Sequence, residues 1–107
     1  MKKINVSFRF RALSEQQAKE LKAVIPSCEL GRHFKTKKIV GFIILNSKTK
    51  LEPIVSFKIK HRVKATEYDV FVSVCTENDT GIVDIPRVVN RIIRKMDCRI
   101  LFSYTCI

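Results

Sequence analysis

The sequence predicts an α+β fold in which an antiparallel or mixed sheet carries two helices on one face, in the order β-α-β-β-β-α-β. Stretches that alternate between apolar and polar residues recur along the chain and are typical of half-buried strands. Two other segments have apolar residues at helical spacing. A chain of 107 residues is long enough for one hydrophobic core, so residues 1–107 are expected to form a single domain.

The first two elements are predicted near the N-terminus. Residues 4–10 alternate strictly between apolar and polar side chains, which predicts a first strand. Ser14 and Gln17 then have the spacing of a capping box, and the apolar stripe that follows ends before Pro26. A short amphipathic helix is therefore expected. Its stripe comprises Ala18, Leu21, Val24 and Ile25.

Three strands are predicted in the middle of the chain. Residues 27–36 lead through the basic run GRHFKTKK, which indicates a loop, into an apolar strand at residues 39–45. Residues 54–63 contain VSFKIKHRV, whose alternation predicts a further strand, and residues 68–76 form the next one. Because only a few polar residues join these last two strands, they are expected to pair antiparallel.

A second helix and a final strand complete the prediction. Asp84 is a candidate N-cap with Pro86 in the first turn, and the final strand is expected at about residues 99–106. The stripe of this helix comprises Ile85, Val88, Val89, Ile92, Ile93 and Met96. A ferredoxin-like core with one added strand fits the predicted order.

The charge of the chain is strongly positive and unevenly distributed. The formal net charge is +11, and residues 32–64 contain ten basic residues against one acidic residue. Residues 65–86 contain five acidic residues and no basic one. A field of this sign favours nucleic acid, an anionic membrane surface or an acidic protein as the partner.

The leading candidate site is the polar face of the predicted sheet. Alternation places basic side chains of the first strand and of residues 54–63 opposite the core, where they would contact phosphates if the two strands are neighbours. These residues are Arg9, Arg11, Lys58, Lys60 and Arg62. Two other interpretations stay open. The lysines and arginines only keep the strands soluble, or the outer face, with its apolar residues 39–45 and Leu101, is buried in a homodimer.

A second basic surface is predicted on the C-terminal helix. Arg87, Arg91 and Arg94 lie opposite its apolar stripe and would suit a phosphate backbone, although basic residues late in a helix also suit the helix dipole. If both helices cover the apolar face of the sheet, this surface and the basic sheet face point in opposite directions. One short nucleic acid would not contact both.

Catalysis and metal binding find little support in the sequence. It has no nucleophile elbow and no glycine-rich phosphate loop, so we expect a protein that is not an enzyme and needs no cofactor. Among enzymes, the sequence fits best a ribonuclease that uses His33 or His61 as a general base. The four cysteines have no paired-ligand spacing, so no metal site is expected.

The expected compartment is the cytoplasm. Charges in the first residues, MKKINVSFRFR, interrupt any apolar region of a secretory signal, and the longest apolar run is far too short to span a membrane. The four cysteines, Cys28, Cys75, Cys98 and Cys106, are accordingly expected to be reduced thiols packed in the core.

The C-terminal third, YDVFVSVCTENDTGIVDIPRVVNRIIRKMDCRILFSY, resembles the end of an uncharacterised family of small bacterial domains. The shared pattern is a strand, a polar turn with glycine, a helix and a final strand. The chain lacks the tryptophan and the central helix of that family, and the resemblance implies no activity. Small basic chains of this kind also resemble products of phage or integron gene cassettes, which often bind a host component.

The sequence therefore favours a cytoplasmic, non-enzymatic protein that binds nucleic acid through a basic sheet face. The alternative is a protein-interaction module that binds an acidic partner, with a homodimeric accessory protein of a mobile element as one form of it.

Overall fold

The computed structural model describes residues 2–77 and 84–106 and contains three α-helices and five strands within them. The strands are β1 (Lys2–Leu13), β2 (Glu29–Arg32), β3 (Ile39–Ile44), β4 (Tyr68–Thr76) and β5 (Arg99–Cys106). The helices are α1 (Glu15–Val24), α2 (Glu52–Lys60) and α3 (Arg87–Lys95), and a short 3-10 turn, Ala65–Glu67, precedes β4.

The strands form one mixed sheet in the order β2-β3-β1-β4-β5. β3 lies between β1 and β2 and is antiparallel to both, so β1, α1 and β2 form a split β-α-β unit. β4 pairs antiparallel with the other side of β1 and completes the ferredoxin-like β-α-β-β-α-β arrangement. The helix α3 then crosses over to β5, which adds parallel to β4 at the sheet edge.

The core lies between one face of the sheet and the helices. Val6, Phe8 and Phe10 of β1 are buried on this helix face together with the even-numbered residues of β4, and Phe10 contacts Phe57 of α2 at 5.1 Å between ring centroids. A Cβ atom on Gly41 of β3 would lie 2.7 Å from Leu21 of α1, so glycine permits the close approach of this helix. The α3 residues Val88, Val89 and Ile92 belong to the same apolar cluster. The prediction of an α+β fold with helices on one sheet face is confirmed, with three helices instead of two.

The predicted strand at residues 54–63 is wrong, because α2 occupies most of this segment. Alternation of Val55, Phe57 and Ile59 suggested a strand, yet the side chains that are buried are those of Ile54 and Phe57, at helical spacing, and Ile59 is exposed. Pro53 in the first turn also suits a helix start. Burial of residues at helical spacing therefore determined the structure of this segment, and its alternation of apolar and polar residues did not.

Several smaller predictions need correction. The predicted loop at residues 27–36 contains β2, so the order is β-α-β-β-α-β-α-β rather than β-α-β-β-β-α-β. The N-cap of α3 is Pro86 and not Asp84. The polar turn predicted after β4 falls largely on residues 78–83, which lie outside the described residues. The strands predicted at 68–76 and 99–106 are confirmed, as is the capping box of Ser14 and Gln17.

A β-bulge interrupts β1 near its end. Phe10 pairs with Gly41 and Leu13 with Ile39, so β1 has one residue more than β3 between these two pairs. Phe10 and Leu13 both point into the core as a result, although they are three positions apart. The intervening residues, Arg11 and Ala12, both lie on the opposite side of the strand.

Candidate nucleic-acid interface

The face of the sheet opposite the helices is covered by none of the described helices and carries a row of contacting polar and aromatic residues. Across the sheet, Glu29, Phe42, Arg9, Asp69 and Arg99 occupy matching positions of the five strands. We call this surface the open face. Its neighbouring row contains Ile44, Ser7, Phe71 and Leu101. Phe71 therefore points away from the core, out of phase with the buried residues of β4.

Only two of the five residues predicted for one basic sheet face lie together on the open face, namely Arg9 and Arg11. Lys58 and Lys60 lie on α2, which packs against the opposite face of the sheet. Arg62 lies in the turn after α2, with a left-handed backbone φ of 50°. The condition that residues 4–10 and 54–63 be neighbouring strands is not met, because the second segment is not a strand.

An open groove of about 900 Å³ lies at one end of the open face. Its floor is formed by β1 and β3, including Ala12, Val40 and Phe42, and its sides are the β2–β3 turn and the segment that precedes β4. We call it the basic groove because five of its residues are cationic and one is acidic, Glu67. The cationic residues are Arg9, Arg11, Arg32, Lys38 and Lys64.

Arg9 is held in place on the floor of the basic groove. Its Nε and Nη2 atoms donate to the two carboxylate oxygens of Asp69 at 2.7 and 2.8 Å. Its guanidinium also lies over the Phe71 ring, 4.6 Å from the centroid. Asp69 is fully buried, and Arg11 lies 3.6 Å from its second oxygen. One carboxylate thus serves two arginines and leaves a net positive charge.

The remaining cations of the basic groove are more accessible. Arg32 pairs with Glu15 at 3.2 Å, and both side chains are mostly exposed, which makes the pair weak. Lys38 and Lys64 form no ion pair within residues 2–77 and 84–106. These two lysines are available to a negatively charged ligand without loss of an existing contact.

The β2–β3 turn adds an exposed aromatic surface to the groove. Phe34 is 75% exposed, and its ring stacks on His33 with an interplanar angle of 8°. The Nδ1 atom of His33 accepts from the backbone N–H groups of Lys35 and Thr36, which fixes the ring within the turn. Phe42, half-buried on the groove floor, is a second aromatic side chain that a planar ligand can reach.

The alternative basic surface lies in the helix layer. Arg87, Arg91 and Arg94 are exposed on α3, and Arg91 donates to the Thr49 carbonyl at 3.2 Å. Lys95 lies 3.9 Å from Glu52. The sheet separates this surface from the basic groove, whereas Lys58 and Lys60 of the predicted sheet face lie with it in the helix layer.

A polar contact joins α1 to the end of α2. Glu20 accepts from His61 Nε2 at 2.7 Å and lies 3.3 Å from Lys60 Nζ. The hydrogen bond from His61, followed by that from Lys60, lowers the pKa of Glu20. His61 and Lys60 therefore have a structural partner on the helix side, and His61 does not line the basic groove.

The cysteines do not all lie in the core as expected. Cys28 is buried, and burial raises the pKa of its thiol despite the nearby Lys22. Cys98 is half-buried and its pKa is raised in the same way, whereas Cys106 is exposed. Among the described residues, no three His, Cys, Asp or Glu side chains come together in a way that would hold a metal ion. None of the helices in the described ranges has the length and apolar character needed to cross a membrane.

Sequence reasoning found part of the groove and missed part. Arg32 and Lys38 belong to the run GRHFKTKK, which was recognised as a basic loop, but the loop could not be assigned to a surface before the sheet order was known. Lys64 was missed because it lies in the short polar connection between the predicted strands 54–63 and 68–76, which was assigned to no surface. Asp69 was missed because an acidic residue in a strand usually faces water.

Comparison of the chain with protein-family models, with curated proteins and with solved structures finds no match.

Proposed function

We propose that the chain is a non-enzymatic binding protein that holds single-stranded nucleic acid in the basic groove. The observation that carries the proposal is that five cationic side chains line one groove together with two aromatic rings, exposed Phe34 and half-buried Phe42. Cations that follow a phosphate backbone, combined with rings on which bases stack, are the usual means of binding unpaired strands.

The groove favours an unpaired strand over a duplex. The rings of Phe34 and Phe42 offer flat faces to bases, and the bases of a duplex are already stacked on one another. A ligand that needs only positive charge, such as an acidic protein, would gain nothing from these rings. The exposure of Phe34 thus supports nucleic acid over the acidic partner.

The test measures binding of fluorescent single-stranded RNA, single-stranded DNA and duplex DNA over a salt series, using protein freed of nucleic acid. We expect both single strands to bind more tightly than the duplex, with steep salt dependence. Replacing Lys38→Gln together with Lys64→Gln should reduce the slope of log affinity against log salt by about 1.4, because two phosphate contacts are lost. Phe34→Ala should weaken binding about tenfold through loss of one stacked base.

The matched control is Lys58→Gln with Arg94→Gln, which removes the same charge from the helix layer. It should leave affinity and salt slope nearly unchanged. Three outcomes would contradict the proposal: negligible binding at low salt, equal binding of polyglutamate and oligonucleotide, or a control variant that loses more affinity than the groove variant.

A further inference from the structure

We propose that the edge strand β5 pairs with β5 of a second copy, so that two sheets join into one. The observation is an exposed, uncharged sheet edge whose side chains complement themselves. This inference does not depend on the proposed function, because the basic groove lies over β1 and β3 and β5 contributes no residue to it.

The edge at β5 lacks the features that usually protect a sheet edge. Among the described strands β5 pairs only with β4, so one side of its backbone has no ladder partner in residues 2–77 and 84–106. Residues 100–106 read ILFSYTC and contain no charged residue and no proline. Such residues are the ones that normally prevent pairing between edges. The opposite edge, β2, has only four residues, and Glu29 and Arg32 stand at its two ends.

Large apolar side chains of β5 are exposed on the helix face. Ile100, Phe102 and Tyr104 are 42%, 50% and 42% exposed, and they follow Val70, Val72 and Val74 in the register with β4. On α3, Ile93 is 36% exposed and lies across the helix from Arg91, which donates to the Thr49 carbonyl in the loop before α2. An apolar strip therefore borders the edge on the helix side.

Antiparallel pairing of two β5 strands about a two-fold axis would pair the open backbone edge and cover the exposed apolar strip at the same time. The axis is perpendicular to the sheet, so residues of one face meet residues of the same face in the second copy. With the axis at Ser103, Phe102 lies opposite Tyr104 of the other copy on the helix face. Ser103 and Thr105 of both copies lie on the open face. Each β5 strand supplies the other with a ladder partner on the side that faces no described strand.

Charge does not oppose this arrangement, although each copy carries +11. Arg99, the only charged residue of β5, lies at its start, so an antiparallel pair places the two arginines at opposite ends of the interface. Three strand spacings, roughly 14 Å, separate β5 from β3 and the basic groove, and the Debye length at physiological salt is about 8 Å. A neutral edge also offers no charge for an acidic or basic partner to recognise. A second copy is thus the occupant that the edge fits best.

The experiment measures the mass of the full chain by light scattering from micromolar to millimolar concentration. We expect the mass to rise from the monomer value of 12.4 kDa toward twice that value. Phe102→Lys and, separately, Ile100→Lys should keep the monomer mass at every concentration. Both side chains are about half exposed, so a lysine is tolerated in the folded monomer, which unfolding at low concentration verifies.

The matched control is Leu30→Lys, which changes a helix-face residue of similar exposure, 43%, on the other edge strand. It should dimerise like the unmodified chain. Amide hydrogen exchange of β5 should also slow as concentration rises, while exchange of β2 should not. A monomer mass throughout, a dimer that survives Phe102→Lys, or β5 amides protected equally at all concentrations would overturn the proposal.

Discussion

At the scale of single residues, Asp69 decides how much of the positive charge on the open face is available. It is the central member of a cross-strand set in which Arg9 and Arg11 share one buried carboxylate. The five acidic residues of segment 65–86 suggested a separate negative region, yet this one lies among arginines of β1. Segregation of charge along the chain thus does not persist in space.

Replacing Asp69→Asn should have opposite effects on stability and on binding. The free energy of unfolding should fall by about 1–3 kcal/mol, because the hydrogen bonds that Arg9 donates to a buried carboxylate are replaced by contacts with a neutral amide. Affinity for single-stranded oligonucleotides should rise, since Arg9 and Arg11 are no longer neutralised. Denaturant unfolding and fluorescence anisotropy measure the two effects. Asp97→Asn, at an exposed aspartate, should change neither, and unchanged affinity of the Asp69 variant would count against binding in the basic groove.

Arg62 shows why α2 ends where it does. The N–H of Val63 donates to the Lys58 carbonyl, and the N–H of Arg62 donates to the Ile59 carbonyl, which is the Schellman pattern with Arg62 at the left-handed position. Glycine is the residue that usually marks such an end. Its absence here removed the local signal that would have identified the helix from sequence.

At the scale of elements, the success of prediction followed the degree to which local pattern and tertiary packing agree. β4 was predicted with its observed bounds because its alternation coincides with one buried and one open face. The bounds of β5 were also predicted, although none of its side chains is buried. α2 failed because its sequence alternates like a strand while its buried residues have helical spacing. β2 has only four residues with little burial, so it carries almost no pattern of its own. The predicted site was incomplete for the same reasons. The two sides of the basic groove, the β2–β3 turn and the segment that precedes β4, adjoin β2 and α2.

The contact between α1 and α2 predicts a dependence of stability on pH. Because the pKa of Glu20 is lowered in the folded chain, the carboxylate stabilises the fold above the ordinary pKa of glutamate, about 4.3. This contribution is lost as pH falls through the lowered pKa. Glu20→Gln should therefore be less stable than the unmodified chain at neutral pH, and the difference should vanish in acid.

Unfolding by denaturant at a series of pH values measures this difference. Glu15→Gln is the control, because Glu15 is exposed and its ion-pair partner, Arg32, is exposed as well. Its stability should follow that of the unmodified chain at every pH. A constant difference for Glu20→Gln across the series would show that its effect does not arise from ionisation.

At the scale of the whole molecule, the two proposals together determine where two ligand sites would lie. A two-fold axis perpendicular to the sheet keeps both open faces on the same side. With β3 as the centre of each basic groove, the two grooves lie roughly 30–35 Å apart across the joined sheet. One strand of nucleic acid could then occupy both.

An oligonucleotide long enough to span both grooves should bind the dimer more tightly than one that fills a single groove, by tenfold or more. The monomeric Phe102→Lys variant should bind the two lengths with nearly equal affinity per site. Anisotropy titrations at a protein concentration that favours the dimer compare them. An equal gain with length in both proteins would mean that the second site lies on the same copy.

The bulge in β1 has a consequence for which ligands can enter. The bulge turns Arg11 and Ala12 toward the groove. The methyl group of Ala12 leaves room on the groove floor that a longer side chain would occupy. Core packing depends instead on Leu13 and Phe10, which point the other way. A longer side chain at position 12 should therefore narrow the basic groove without disturbing the interior.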